Sequence, residues 1–144
     1  MLITNHVLAG ALIGTAAPGP VSAFAMGVAS HVAMDVVPHW GNEEIFVPVA
    51  VVDGLVGATA MAAVAARAPR DRRLAVVAGM VGACLPDADK PSTMFFGRSP
   101  FPAAVDAWHK RIQRESPRRL VQEPVVALAG ALILRRVWRG LRSH

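Results

Sequence analysis

The chain has a single cysteine, Cys84, and no tyrosine. One cysteine excludes an internal disulfide and any zinc site built from several thiolates. Charge is scarce too. Asp, Glu, Lys and Arg make up 17% of the sequence against 53% hydrophobic residues, whereas an average soluble domain is about a quarter charged. The formal net charge of +5 comes from arginines crowded beside apolar runs, in Arg67–Arg73 and Arg135–Arg142. They are not interleaved with exposed aromatics, which argues against nucleic acid as a partner. The first residues, Met1 to Ala23, lack the basic leader of a secretory signal, and His6 interrupts their apolar stretch. They are expected to remain as a first helix.

What is present is a series of five apolar segments within 144 residues, a length that suits one domain over 1–144. The first runs from Ile3 to Ala17 and breaks at Pro18-Gly19-Pro20. The second, Val21 to Val37, ends before Pro38, which disfavours helical geometry at the preceding residue. The third, Ile45 to Ala66, carries Asp53 as its only charge; the fourth is Leu74 to Pro86 and the fifth Leu120 to Leu134. A spanning helix needs about 20 apolar residues, with a range of about 17–25; segments two and three qualify, and segments one, four and five are marginal. The fold expected is therefore an all-α, polytopic membrane helical bundle of four to five apolar helices. Gly10 and Gly14 have the spacing that lets membrane helices pack closely. One long polar stretch, 87–119, is a candidate lid, with a short surface helix expected over 103–114. Trp40 and Trp108 on one face and Trp138 on the other suggest an aromatic belt.

If each segment crosses once, the polar residues sort to one side. His6 opens segment one, and His31, Asp35 and His39 close segment two. Asp53 lies about 12 Å into segment three at 1.5 Å per residue. Asp87 and Asp89 close segment four, and His109 and Glu123 lead into segment five, while His144 falls opposite. Several segments would thus converge on one polar pocket.

Within it, His31, Asp35 and His39 are four apart and share one helical stripe, although Pro38 takes His39 off the helix. Imidazole and carboxylate on one stripe suit metal binding or proton transfer, and ionisable groups in an apolar segment are functional by default. Asp87 and Asp89, two apart, can chelate one cation or bridge two. Asp53, unpaired at depth, is a candidate base or a residue that orients a ligand. His109 can serve as ligand or acid, with Lys90, Lys110 or Arg111 clamping an anion. Glu123 can join the site or cap segment five.

The stretch Asn5-His6-Val7-Leu8-Ala9-Gly10, the run Leu85-Pro86-Asp87-Ala88-Asp89, and Ser30-His31 followed by Asp35 resemble the motifs of a bacterial family of small membrane-bound metal-dependent hydrolases. The resemblance covers most of the chain. It implies a divalent-metal site with His6, His31, Asp35, Asp87 and Asp89 as the matching positions. Lys90 stands where that family usually carries histidine, and its His-Arg-Gly-x-Thr-His-Ser element is missing. His39 and His109 are the replacements this chain offers.

Together these features predict a membrane-embedded hydrolase using zinc, with manganese or iron as alternatives, on a lipid or lipid-linked phosphoester at the bilayer surface. The metal ligands would be His6, His31, His39, Asp35, Asp87 and Asp89. Asp35, Asp53 and His109 would be catalytic, and Lys90 and Arg111 would bind substrate. The alternative is a non-enzymatic membrane protein whose polar cluster is structural, binds metal or conducts ions. The arginine-dense face is expected in the cytoplasm and the site face outside, in the cytoplasmic membrane.

Overall fold

The computed structural model describes residues 1–142; His144, expected opposite the site, lies outside them. Seven α-helices occur among the described residues: α1 (Ile3–Ala16), α2 (Pro20–Val36), α3 (Phe46–Arg67), α4 (Arg73–Cys84), α5 (Asp89–Phe96), α6 (Ala103–Ile112) and α7 (Gln122–Arg142). Each of the five apolar segments is a helix, with boundaries set by the breaks that stand in the sequence. Pro20 occupies the first turn of α2, where its missing N–H is no loss. Gln122, Glu123 and Pro124 open α7 in the same way.

The polar stretch 87–119 is not one loop. It contains α5, closed by Gly97 at φ 71°, where a left-handed backbone favours glycine. It also contains α6 and a two-residue strand, β2 (Glu115–Ser116), which pairs in parallel with β1 (His39–Trp40).

Helix α4 lies between α1 and α2 and packs most extensively against both. Small residues make this possible. A side chain on Gly10 would overlap the backbone of Gly79 and Met80, and one on Gly14 the backbone at Ala75 and Val76. Gly27 and Gly82 bring α2 and α4 together in the same manner. Backbones in this contact exchange dispersion and weak Cα–H···O interactions in place of side-chain packing. A core of Val7, Leu8, Ala11, Val76, Met80, Leu134 and Trp138 joins α1, α4 and α7.

The architecture is all-α as expected, and among the described residues the run Glu43–Arg67 is the one long and apolar enough to cross a bilayer by length and composition. One expectation needs correction, since the aromatic belt does not form. Trp40 and Trp138 are buried, the latter donating to Thr15 Oγ1 at 3.0 Å, and only Trp108 is exposed.

Candidate metal centre

The close approach of α1, α2 and α4 sets their polar ends side by side. His31 and Asp35 are one turn apart near the end of α2, and Asp87 lies in the 3₁₀ turn after α4 (Leu85–Ala88). His109 comes from α6, which reaches the bundle through backbone pairing. The Arg114 N–H donates to the Asp35 carbonyl at 3.1 Å, and the His39 N–H to the Arg114 carbonyl at 3.0 Å. This small sheet holds the end of α6 over the end of α2.

The result is a cluster of four buried donors, His31, Asp35, Asp87 and His109, whose ligand atoms all lie within 4.8 Å of one another. His31 Nε2 stands 3.0 Å from Asp35 Oδ2 and 3.0 Å from His109 Nε2, and His109 Nε2 is 3.1 Å from the same oxygen. Asp87 Oδ1 is 3.8 Å from His31 Nε2 and 3.9 Å from His109 Nε2. Four atoms bound tetrahedrally at about 2.0–2.1 Å stand roughly 3.3 Å apart, so the set has the dimensions of a metal-binding site. The second layer fits as well. His31 Nδ1 lies 2.7 Å from the Ala83 carbonyl. An N–H donated there leaves the Nε2 lone pair facing the cluster, the usual arrangement behind a ligating histidine. Two imidazole nitrogens and two carboxylates facing inward bring lone pairs together, and a cation relieves that repulsion.

Lys90, the second residue of α5, forms an ion pair with Asp87 Oδ1. Burial pushes the Asp87 carboxyl up, but the Lys90 ammonium and the neighbouring imidazoles outweigh it and hold the group below its ordinary value. Burial likewise works against the Lys90 charge and is outweighed by Asp87, which raises the Lys90 ammonium.

The remaining expected residues divide. His6 lies beside the cluster, its ring stacked on His31 with centroids 4.0 Å apart. Asp89 is partly buried with Oδ1 enclosed and unpaired among the described residues, but it is outside the group of four. His39 is also outside. It is buried on β1 with Nδ1 against the Val37 carbonyl at 2.8 Å. Burial, aided by the Met1 ammonium, holds its imidazole below the ordinary value. Arg111 is exposed on α6.

Asp53 lies outside the group of four and is engaged at the start of α1. Its carboxylate accepts from the Ile3 N–H at 2.5 Å, the Thr4 N–H at 3.3 Å and Thr4 Oγ1 at 2.5 Å. It caps the start of α1 from α3, satisfying N–H groups that have no partner within the helix. Glu123, 1% exposed, anchors the same helix end. It accepts from the Leu2 N–H at 3.0 Å, Asn5 Nδ2 at 2.7 Å and the Trp40 N–H at 2.9 Å. Gln113 was missed by sequence reasoning; its Nε2 donates to Asp35 Oδ2 at 3.2 Å. Its place four residues after His109, just past the end of α6, was the available signal.

These placements rest on the chain's own geometry, since no family model, curated protein or solved structure matches it.

Proposed function

We propose that the chain is a membrane-embedded, metal-dependent hydrolase acting on a lipid or lipid-linked phosphoester at the bilayer surface. The observation that carries this reading is the convergence of His31, Asp35, Asp87 and His109 in one buried cluster. The mixed nitrogen and oxygen donors suit zinc, with manganese or iron as alternatives. Such an ion polarises a phosphoryl oxygen and lowers the pKa of bound water to about 7.

A cavity of about 520 Å³ extends from Asp87 and Lys90 along Trp40, Phe46, Val51 and Met94. Its lining is mostly apolar, with Asp53, Asp87, Lys90 and Glu115 as the charged side chains, which suits an amphiphile whose anionic head is met by Lys90 and a bound cation. Lys90 at its rim is the cation that would meet a phosphate oxygen. Val47, Val51, Val52, Leu55 and Val56 are exposed along α3. An apolar flank of that length is costly in water and at ease in lipid. This supports an integral protein of the cytoplasmic membrane, and the density of arginines near the helix ends opposite the site is what argues for the site face outward. The ion-conducting alternative drew on an unpaired Asp53, and the bonds that carboxylate makes to Ile3 and Thr4 remove that support.

The test uses protein purified in detergent, its metal content measured by mass spectrometry, and a synthetic lipid phosphoester in mixed micelles. Stoichiometric zinc or manganese with phosphoester cleavage is expected, both lost in His31→Ala and Asp87→Ala. A folded, metal-free protein that leaves the ester intact refutes the proposal.

A further inference from the structure

The carboxylates of Asp35 and Asp87 each face two ways. Asp35 Oδ2 lies toward His31 and His109, at 3.0 and 3.1 Å, whereas Oδ1 lies toward His6, 3.4 Å from its Nε2. Asp87 repeats the division. Its Oδ1 is the oxygen nearer His31 and His109, and its Oδ2 is 3.9 Å from His6 Nε2. His6 is fully buried, and neither of its ring nitrogens has a hydrogen-bond partner among the described residues. An imidazole enclosed without partners is unfavourable unless something polar completes it. The single cluster of four leaves this residue unexplained.

We infer that the centre holds two divalent ions, bridged by Asp35 and Asp87, with His31 and His109 on the first and His6 on the second. The stacking supports the spacing. The His6 and His31 rings are nearly parallel, at 20°, with centroids 4.0 Å apart, so their Nε2 atoms address two adjacent points. Two-metal sites keep their ions about 3.5–4 Å apart, which matches this offset. Asp35 Oδ1 also accepts from the Met1 ammonium at 2.8 Å, a cation that the second ion would displace from this oxygen. Two ions spanned by two carboxylates can hold both the attacking and the leaving oxygen of a phosphoester, where one ion holds only one. The inference rests on reading the cluster as a metal centre, and its test separates the two.

The full chain, purified in detergent without a histidine tag and stripped by chelator, is dialysed against zinc and its bound metal counted. Two equivalents are expected in the wild type and one in His6→Ala. One equivalent in both proteins overturns the second site and leaves the metal reading standing. No bound zinc in the wild type overturns both. Manganese loading of the unmodified protein gives a readout that needs no variant. A magnetically coupled pair is expected in its electron paramagnetic resonance spectrum, and the six-line signal of isolated ions at full loading refutes the inference.

Discussion

Glu123→Gln tests whether the site depends on a buried anchor outside the donor cluster. Glu123 Oε2 accepts two hydrogen bonds, from the Leu2 N–H and Asn5 Nδ2, and Oε1 accepts one from the Trp40 N–H. Glutamine keeps the size but supplies one carbonyl oxygen and one donor. If the oxygen serves Leu2 and Asn5, the amide faces the Trp40 N–H, donor against donor, at a buried position. Leaving that N–H unpaired costs about 1–3 kcal/mol, and two charge-assisted bonds become neutral at roughly 0.5–1 kcal/mol each. The sum is about 3 kcal/mol, a fall in melting temperature on the order of 10 °C for a chain of this size. Zinc affinity is expected to fall with it, because His6 follows Asn5 directly and moves with the start of α1. Thermal melts in detergent and a zinc competition titration measure the two effects. A variant that melts with the wild type and binds zinc equally well refutes the anchoring role.

Other outcomes follow from the same contacts. Gly79→Ala places a methyl group into the Gly10 carbonyl. Separating α1 from α4 is expected to cost about 1–3 kcal/mol and to weaken zinc binding, and a neutral result in both assays would show that the helices tolerate the extra width. Lys90→Met removes the ammonium that competes with a metal for Asp87 Oδ1. Zinc binding is expected to tighten about tenfold, the equivalent of one charge-assisted hydrogen bond, while turnover of an anionic ester falls; weaker zinc binding contradicts the competition. His39 is held below its ordinary value, so the unfolded chain takes up its proton first as pH falls below about 6.5. Stability is therefore lost toward acid, and His39→Gln is expected to flatten the decline in melting temperature between pH 7 and 5. Identical slopes in the two proteins would assign the decline to other groups.

Much of the architecture was written locally. The first four apolar runs became helices within two residues of their expected limits, because Pro18 and Pro38 stop a helix and Pro20 can only start one, whereas α7 runs on past Leu134 to Arg142. The alternation of segments also placed His6, His31, Asp35, Asp87 and His109 at one end, and the structure collects those five there. The Gly10–Gly14 spacing announced a close helix contact and received one from Gly79.

What local sequence could not carry were the partners. Asp53 reads as an unpaired charge within an apolar helix until the start of α1 lies across it and supplies Ile3 and Thr4 as donors. Glu123 resembles an ordinary first-turn acid, yet it ties Leu2, Asn5 and Trp40 together from over 80 residues away. His39 shares a spacing with His31 and Asp35, but Pro38 turns the chain into β1 and toward β2, so His39 stays outside the buried cluster that His109 joins. The parallel pairing of β1 with β2 that seats His109 is two residues long, too short to leave a periodic signal.

By itself, then, the sequence determined which stretches are helical, where they stop, and that ionisable groups gather at one end, because proline geometry and apolar periodicity act over a few residues. Only the tertiary structure decided which of those groups face one another. Donor convergence depends on helix-to-helix distance and on contacts between residues far apart in the chain, and neither is encoded in the spacing of any one segment.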